Sequence, residues 1–232
     1  MHLPSVSPEQ PHSAPEERTI SIVLFASFFA AFLMLVLFAW LAGEVLEGDA
    51  HAFDVAVRRS VHANASPFLT LLMRGWTHFG DRLVLIVFTA TAFVGFWRKG
   101  WKRGAAWIAV TMAGVVVFEV TLKLAFQRPR PEAFFGVSPV TYSFPSGHAL
   151  GSFCFYATVA ALIAHRVRES WIRVGLGILA AVIIAGVGFS RIYLGVHYPT
   201  DVIAGYAAAA VWVSALISLD RFRAHRRRRK LV

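Results

Sequence analysis

Three short polar clusters interrupt a strongly apolar chain, and each contains groups that can bind an anion or move a proton. The first is Lys123-Leu-Ala-Phe-Gln-Arg128-Pro-Arg130-Pro131, with one lysine and two arginines. Such cations suit a phosphoryl group, whose transition state spreads negative charge over its oxygens. The alternative is a set of positive charges that only stabilises the end of a helix.

The second cluster, Pro145-Ser146-Gly147-His148, directly precedes a long apolar run. Proline and serine predict a helix start, and the free backbone N–H groups of a helix N-terminus form an anion site. His148 would stand just inside that helix, where it can exchange a proton near neutral pH. Ser146 could equally be a simple helix cap.

The third cluster is Ser190-Arg191-Ile-Tyr-Leu-Gly-Val-His197-Tyr-Pro-Thr-Asp201. If Pro199 starts a helix, the Asp201 carboxylate can reach back to one imidazole nitrogen of His197. The other nitrogen then stays free to attack, which is the arrangement of a tuned base or nucleophile. Alone, this spacing is weak evidence, because structural His–Asp pairs are common.

Together the three clusters resemble the type 2 phosphatidic acid phosphatase (PAP2) and vanadium haloperoxidase superfamily, whose pattern is K-x6-RP, PSGH and SR-x5-H-x3-D. Every position of that pattern is filled here, in order. The chain looks most like the bacterial membrane branch that includes phosphatidylglycerophosphate phosphatase B and undecaprenyl-diphosphate phosphatases. The haloperoxidase branch is soluble, which disagrees with the long apolar runs.

The resemblance implies a role for each matched residue. The phosphate oxygens would be bound by Lys123, Arg130, Ser146, Gly147 and Arg191. His197 would attack phosphorus to form a phosphohistidine, and Asp201 would hold its imidazole. His148 would protonate the leaving oxygen and then activate the water that resolves the intermediate.

No metal and no other cofactor is implied, since a two-metal phosphatase needs several carboxylates in one place. Asp201 is the only acid within the three clusters. Arg128 fits no position of the pattern and is interpreted as electrostatic support. Glu119 lies one helical turn before Lys123, a spacing that favours an ion pair, although a separate polar contact is an open alternative.

The whole chain has the composition of a membrane protein, with 57% hydrophobic residues, 16% charged residues and a mean hydropathy of +0.59. A water-soluble domain is excluded on this basis. The net charge of +10 sits mostly between or after apolar runs, and the aromatic residues lie within or beside those runs. This arrangement argues against nucleic-acid binding.

Apolar runs predict six transmembrane helices at about 20–42, 83–97, 105–126, 147–164, 174–190 and 201–219. The second run is short enough to be tilted or partly interfacial. Residues 43–82 are too polar to span and too apolar for a free loop, which predicts interfacial helices between the first two spans. These helices either border a lateral entrance for a lipid or simply pack over the bundle.

The predicted fold class is therefore all-α and polytopic, with residues 20–220 as one membrane domain. Residues 1–19 are predicted to be a disordered cytoplasmic tail and 221–232 a basic cytoplasmic tail. Of the 23 Lys and Arg residues, 15 fall on one side of this layout, and the positive-inside rule makes that side cytoplasmic. Both termini are then cytoplasmic, and the three clusters face the outside of the cytoplasmic (inner) membrane.

The sequence thus predicts a multi-pass membrane phosphatase with a lipid phosphate or diphosphate as substrate, membrane lipids as partners and no obligate protein partner. The order of preference for the substrate is undecaprenyl diphosphate, phosphatidylglycerophosphate and then phosphatidic acid. The alternative is a lipid phosphotransferase, in which an alcohol instead of water resolves the phosphohistidine. A non-catalytic lipid-binding protein would need neither both histidines nor Asp201.

Overall fold

A computed structural model describes the backbone of residues 14–229 and the side chains of residues 25–223. This part of the chain is all-helical and contains no strand. The eight helices are α1 (Ala14–Glu47), α2 (Ala50–Ala63), α3 (Pro67–His78), α4 (Arg82–Arg98), α5 (Lys102–Phe126), α6 (Gly147–Ala164), α7 (Ser170–Tyr193) and α8 (Pro199–Arg229).

Five of these helices, α1 and α5 to α8, are long and apolar enough to cross a membrane. Helices α3 and α4 meet at a bend of 47° and together form a sixth candidate span. Alone, α4 has 17 residues, or about 25 Å of helix, which explains why its apolar run is short. The predicted fold class, all-α with about six spans, is confirmed.

Helices α2 and α3 occupy the segment predicted to contain interfacial helices. Ser66 begins α3 by accepting a hydrogen bond from the backbone N–H of Leu69, and Pro67 fills the first helical position. The Tyr193 hydroxyl of α7 lies 2.8 Å from Thr70 Oγ1 of α3. The outer face of α3 leaves Phe68 and Leu71 exposed, so α3 is fixed to the bundle on one side and apolar on the other.

Small residues let the long helices approach closely, as expected for packing in lipid. A Cβ at Gly205 of α8 would lie 2.7 Å from the carbonyl oxygen of Ser146, and one at Gly114 of α5 would lie 2.2 Å from the Trp212 ring. Helix α6 packs against α5, α7 and α8. Helix α6 therefore lies between these three helices.

The helices extend beyond the predicted boundaries of the membrane domain. Helix α1 begins at Ala14, so residues 14–19 of the predicted tail are helical, and α8 continues to Arg229. The rest of the two predicted tails, 1–13 and 230–232, lies outside the described residues. At the end of the bundle where α5 begins, Arg103 forms an ion pair with Asp220 of α8.

Candidate active site

The three polar clusters converge on one cavity of about 720 Å³ at one end of the bundle. Helix α5 ends beside it, α6 begins beside it, and the turn from α7 to α8 closes it. Six of the predicted site residues line this cavity: Lys123, Arg130, Gly147, His148, Arg191 and His197. The other two, Ser146 and Asp201, are fully buried behind its wall.

His197 is held from both ring nitrogens. Its Nδ1 lies 3.3 Å from Asp201 Oδ2, and its Nε2 lies 2.9 Å from Arg130 Nη1. A guanidinium only donates, so Nε2 must be the unprotonated nitrogen, and Nδ1–H must point at the carboxylate. Burial, reinforced by the charges of Arg130 and Arg191, lowers the pKa of His197 well below its ordinary value.

Asp201 can reach His197 because α8 begins at Pro199, as predicted. The same carboxylate oxygen accepts the backbone N–H of Tyr198 at 2.9 Å. Its other oxygen accepts from Arg128 Nη1 at 2.7 Å. The predicted electrostatic support from Arg128 therefore takes the form of a direct ion pair with Asp201, which leaves Arg128 outside the cavity.

Arg128 also links Asp201 to a residue that the motifs do not include. Its Nη2 lies 2.7 Å from Oδ2 of Asp54, a fully buried residue of α2. Asp54 in turn accepts the backbone N–H and the hydroxyl of Thr200 at 3.0 and 2.7 Å. No spacing in the sequence connects Asp54 with residues that lie about 150 positions later, so only the fold reveals it.

The cations of the cavity are held in place by neutral groups or by one shared carboxylate. Arg191 is buried, donates to Thr77 Oγ1 of α3 at 2.6 Å and has no partner for its Nε. Arg130 donates to the carbonyl and hydroxyl oxygens of Thr141 at 2.8 and 2.9 Å. Neither arginine makes an ion pair among the described residues, so both are positioned to receive an anion.

Glu119 pairs with Lys123 at 2.7 Å, which decides between the two alternatives left open by the sequence. The same oxygen also accepts from Arg82 of α4 at 3.2 Å. A Cβ at position 147 would lie 2.3 Å from this oxygen. Gly147 is therefore required by the close approach of Glu119 to the start of α6.

Ser146 caps α6, because its Oγ accepts from the backbone N–H of Ala149 at 3.4 Å. Its own backbone N–H donates to the carbonyl oxygen of Asp201 at 2.9 Å. Of its two donors, only the hydroxyl hydrogen thus stays available for a ligand. Of the predicted anion site at this helix start, Gly147 is the residue that lines the cavity.

His148 has a carboxylate partner of its own, Asp81, at the junction of α3 and α4. His148 Nε2 lies 2.9 Å from Asp81 Oδ1, and His78 Nδ1 lies 2.6 Å from Asp81 Oδ2. The hydrogen bond with His148 has the largest effect on the pKa of Asp81, and with the bond from His78 it lowers that pKa to about 2 despite burial. Asp81 lies outside the three clusters, and its only sequence signal is an acid directly before an apolar run.

Beyond these polar groups the cavity continues as an apolar groove between α4 and α5. The α4 side runs from Arg82 to Val94, about 18 Å along the helix. The apolar lining residues are Leu85, Ile86, Ala90, Phe93 and Val94 of α4 and Ala109, Met112, Val115, Val116 and Val120 of α5. One cavity therefore has a cationic end with two histidines and a lipid-like end.

No group of three or more His, Cys, Asp or Glu side chains that could hold a metal ion occurs among the described residues. The aspartates of the site are each engaged by arginine or histidine. The expectation that the chemistry needs no metal stays a prediction.

Comparisons with known proteins identify the family of the chain. Residues 104–224 match the PAP2 superfamily. The chain is 32% identical to a phosphatidylglycerophosphatase B of Bacillus subtilis over 75% of this chain and 86% of that protein. It is 28% identical to an undecaprenyl-diphosphatase of Sulfolobus acidocaldarius over 82% of this chain and 89% of that one.

A solved structure is similar over most of its length. It is the crystal structure of a transmembrane PAP2-type phosphatidylglycerolphosphate phosphatase from Bacillus subtilis. The TM-score is 0.76 at 26% identity, and the alignment covers 84% of this chain and 97% of that chain. The region that matches the PAP2 superfamily, residues 104–224, contains every residue of the three polar clusters.

Proposed function

The chain belongs to the PAP2 superfamily, and we propose that it is a membrane phosphatase that hydrolyses a lipid phosphate or diphosphate in the cavity described above. The observation that carries this proposal is the form of that cavity. Its polar end offers Lys123, Arg130 and Arg191 to a phosphate, and its apolar end offers a groove to a hydrocarbon chain. A soluble phosphate ester would leave the groove empty of any apolar partner.

In the first chemical step, His197 attacks phosphorus. Phosphate binding draws Arg130 away from Nε2, which frees the lone pair of a neutral imidazole. Nε2 then bonds to phosphorus while the bond to the leaving oxygen breaks, and the three cations balance the charge on the transferring oxygens. Asp201 accepts the Nδ1–H and stabilises the positive charge that develops on the ring.

The second residue of the mechanism is His148, on the other side of the same cavity. In its protonated form it gives a proton to the leaving oxygen, so that a neutral lipid alcohol or a lipid monophosphate departs. The neutral imidazole then takes a proton from water, and the resulting hydroxide attacks the phosphohistidine. This step releases inorganic phosphate, regenerates His197 and leaves His148 protonated for the next turnover.

The preferred substrate is undecaprenyl diphosphate, followed by phosphatidylglycerophosphate and phosphatidic acid. Relatives named as an undecaprenyl-diphosphatase and a phosphatidylglycerophosphatase support the first two choices. The groove between α4 and α5 suits any single long hydrocarbon chain. The headgroup end, in contrast, is fixed by cations that recognise phosphate itself.

The proposed orientation places the cavity on the extracytoplasmic side of the cell membrane and both termini in the cytoplasm. It is supported by the charge asymmetry of the loops, because 15 of the 23 Lys and Arg residues fall on the side opposite the cavity. Residues 20–220 form the membrane phosphatase domain in this proposal, without an obligate protein partner.

Release of inorganic phosphate from a panel of purified lipids tests the proposed function. We expect the detergent-solubilised protein to release phosphate from at least one of the three named lipids, with undecaprenyl diphosphate the fastest. Activity should survive EDTA, and vanadate should inhibit because its adduct resembles the phosphoryl transition state. Transfer of phosphate to an added alcohol without release would favour the phosphotransferase, and loss of activity on chelation that Mg²⁺ restores would contradict metal independence.

A further inference from the structure

The contact between His148 and Asp81 gives the site a second acid–histidine pair. We propose that Asp81 is a positioning residue: it orients His148, the proton donor, as Asp201 orients His197, the nucleophile. This inference rests on the proposed function, because it assumes that His148 is the proton donor. Asp81 belongs to none of the three polar clusters and reaches the site from the junction of α3 and α4.

The hydrogen bond to Asp81 fixes which nitrogen of His148 reacts. An ionised carboxylate only accepts, so the hydrogen bond of 2.9 Å to Asp81 Oδ1 requires a proton on Nε2 of His148. Nδ1 is then the nitrogen that exchanges its proton with the leaving oxygen and with water. Without Asp81 the neutral ring that forms once the leaving oxygen is protonated could adopt the other tautomer, in which Nδ1 carries the proton and cannot accept one from water.

Asp81 also balances the charge around His148. The titratable and charged groups that face this imidazole are Asp81 from the α3–α4 junction, Glu119 from α5, Arg191 from α7 and His197 from the α7–α8 turn. Glu119 is already shared by Lys123 and Arg82. Asp81 is thus the carboxylate that contacts the ring and offsets Arg191, which favours the protonated form that a general acid needs.

The junction that carries Asp81 is fixed against α6 and α7 by separate contacts. Tyr156 of α6 donates from its hydroxyl to the carbonyl oxygen of Phe79 at 2.9 Å. A Cβ at Gly80 would lie 2.5 Å from Val187 Cγ1 and 3.0 Å from His148 Cδ2. Only glycine therefore allows this chain segment to lie directly on the His148 ring.

His78 holds the carboxylate from its other side. Its Nδ1 lies 2.6 Å from Asp81 Oδ2, and 69% of its side chain is exposed. His78 therefore limits rotation of the Asp81 carboxyl group while remaining outside the cavity. Its removal should loosen Asp81 without removing the charge, and should produce a weaker form of the Asp81 defect.

The test compares two leaving groups in the full-length, detergent-solubilised protein. General acid catalysis contributes about 10²–10⁴-fold, and its importance depends on how poor the leaving group is. We expect Asp81→Asn to lower kcat/KM for phosphatidic acid, whose leaving group is an alkoxide, by at least about tenfold and to affect p-nitrophenyl phosphate far less. The basic limb of the pH–rate profile should move to lower pH, because the variant favours protonated His148 less strongly.

Three further variants separate positioning from simple damage to the fold. His165→Ala, at the opposite end of α6, should leave kcat/KM unchanged for both substrates. His148→Gln and the double variant with Asp81→Asn should be equally impaired, since Asp81 acts only through His148. If the Asn variant does not fold, Asp81→Glu keeps the charge at a longer reach and should show a smaller shift of the same limb.

An Asp81→Asn protein that loses equal activity on both leaving groups, with an unchanged pH profile, would overturn the positioning role. So would a double variant clearly worse than His148→Gln alone. These outcomes differ from failure of the proposed function, which would appear as a wild-type protein that releases no phosphate from any lipid.

Discussion

At the residue scale, the two histidines are distinguished by the nitrogen that each has free. His197 donates from Nδ1 to Asp201 and keeps Nε2 unprotonated, facing Arg130. His148 donates from Nε2 to Asp81 and keeps Nδ1 for proton exchange. Because the pKa of His197 is lowered, the nucleophilic role proposed for it would need no base to remove a proton first.

Arg191 is a buried cation whose charge a bound phosphate would compensate. It is buried, its guanidinium donates a hydrogen bond to the Thr77 hydroxyl, and its Nε has no hydrogen-bond partner among the described residues. A buried charge without a counter-ion is costly, because it gives up the stabilisation that water supplies. A bound phosphate would form a direct ion pair with Arg191, so phosphate binding would remove part of this cost.

At the element scale, α2 packs against the turn between α7 and α8 that carries His197 and connects it to the rest of the bundle. Asp54 of α2 contacts both Arg128 and Thr200 in the first turn of α8, and Arg128 in turn forms an ion pair with Asp201. The helix predicted to lie over the bundle therefore supports the His197–Asp201 pair through Arg128. This contact favours packing over the alternative in which α2 serves only to border an entrance.

Asp54→Ala should destabilise the protein because it removes one of the two carboxylates that neutralise buried Arg128. Removing one partner of a buried ion pair costs about 3–5 kcal/mol, and the lower end is expected because Asp201 remains. Thermal denaturation in detergent measures this loss. Asp220→Ala is the matched control, since its partner Arg103 is mostly exposed and the expected cost is below about 1 kcal/mol. Equal midpoints for the two variants would contradict this account of α2.

The long helices could be predicted from the sequence, because apolar runs of sufficient length have few other structures in lipid. The residues of the three clusters could also be placed together, since their order and spacing follow the ends of α5, α6 and α7. Asp54, Thr77 and Asp81 could not, because each reaches the site across a helix–helix contact that leaves no local pattern. Glu119 lies between these cases: its spacing from Lys123 favours the ion pair, but its contact with Arg82 depends on the fold.

At the scale of the whole molecule, every residue proposed to take part in catalysis lies at one end of the bundle. The apolar part of the cavity runs between α4 and α5, while Lys123, Arg130 and Arg191 lie at its polar end. The opposite end carries the basic turns around Lys102 and Arg166. The orientation of the bundle therefore determines on which side of the membrane the cavity can take up a substrate.

Cysteine labelling tests that orientation. Val137 is 91% exposed in the segment between α5 and α6, and the native Cys154, the one cysteine of the sequence, is buried. We expect a membrane-impermeant maleimide to label Val137→Cys in intact cells and to label Glu169→Cys, in the turn between α6 and α7, only after permeabilisation. The reverse pattern would show that the cavity opens to the cytoplasm.

Trapping of the phosphorylated protein tests whether His197 is the nucleophile. Undecaprenyl diphosphate with a radiolabelled terminal phosphate is mixed with the enzyme and quenched rapidly in base, which preserves phosphohistidine, whereas acid destroys it. We expect label on the wild-type protein and none on His197→Ala, because Nε2 of His197 is unprotonated and faces Arg130 of the proposed phosphate site. Recovery of a base-stable phosphoenzyme from the His197→Ala protein would contradict the account and identify His148 as the nucleophile.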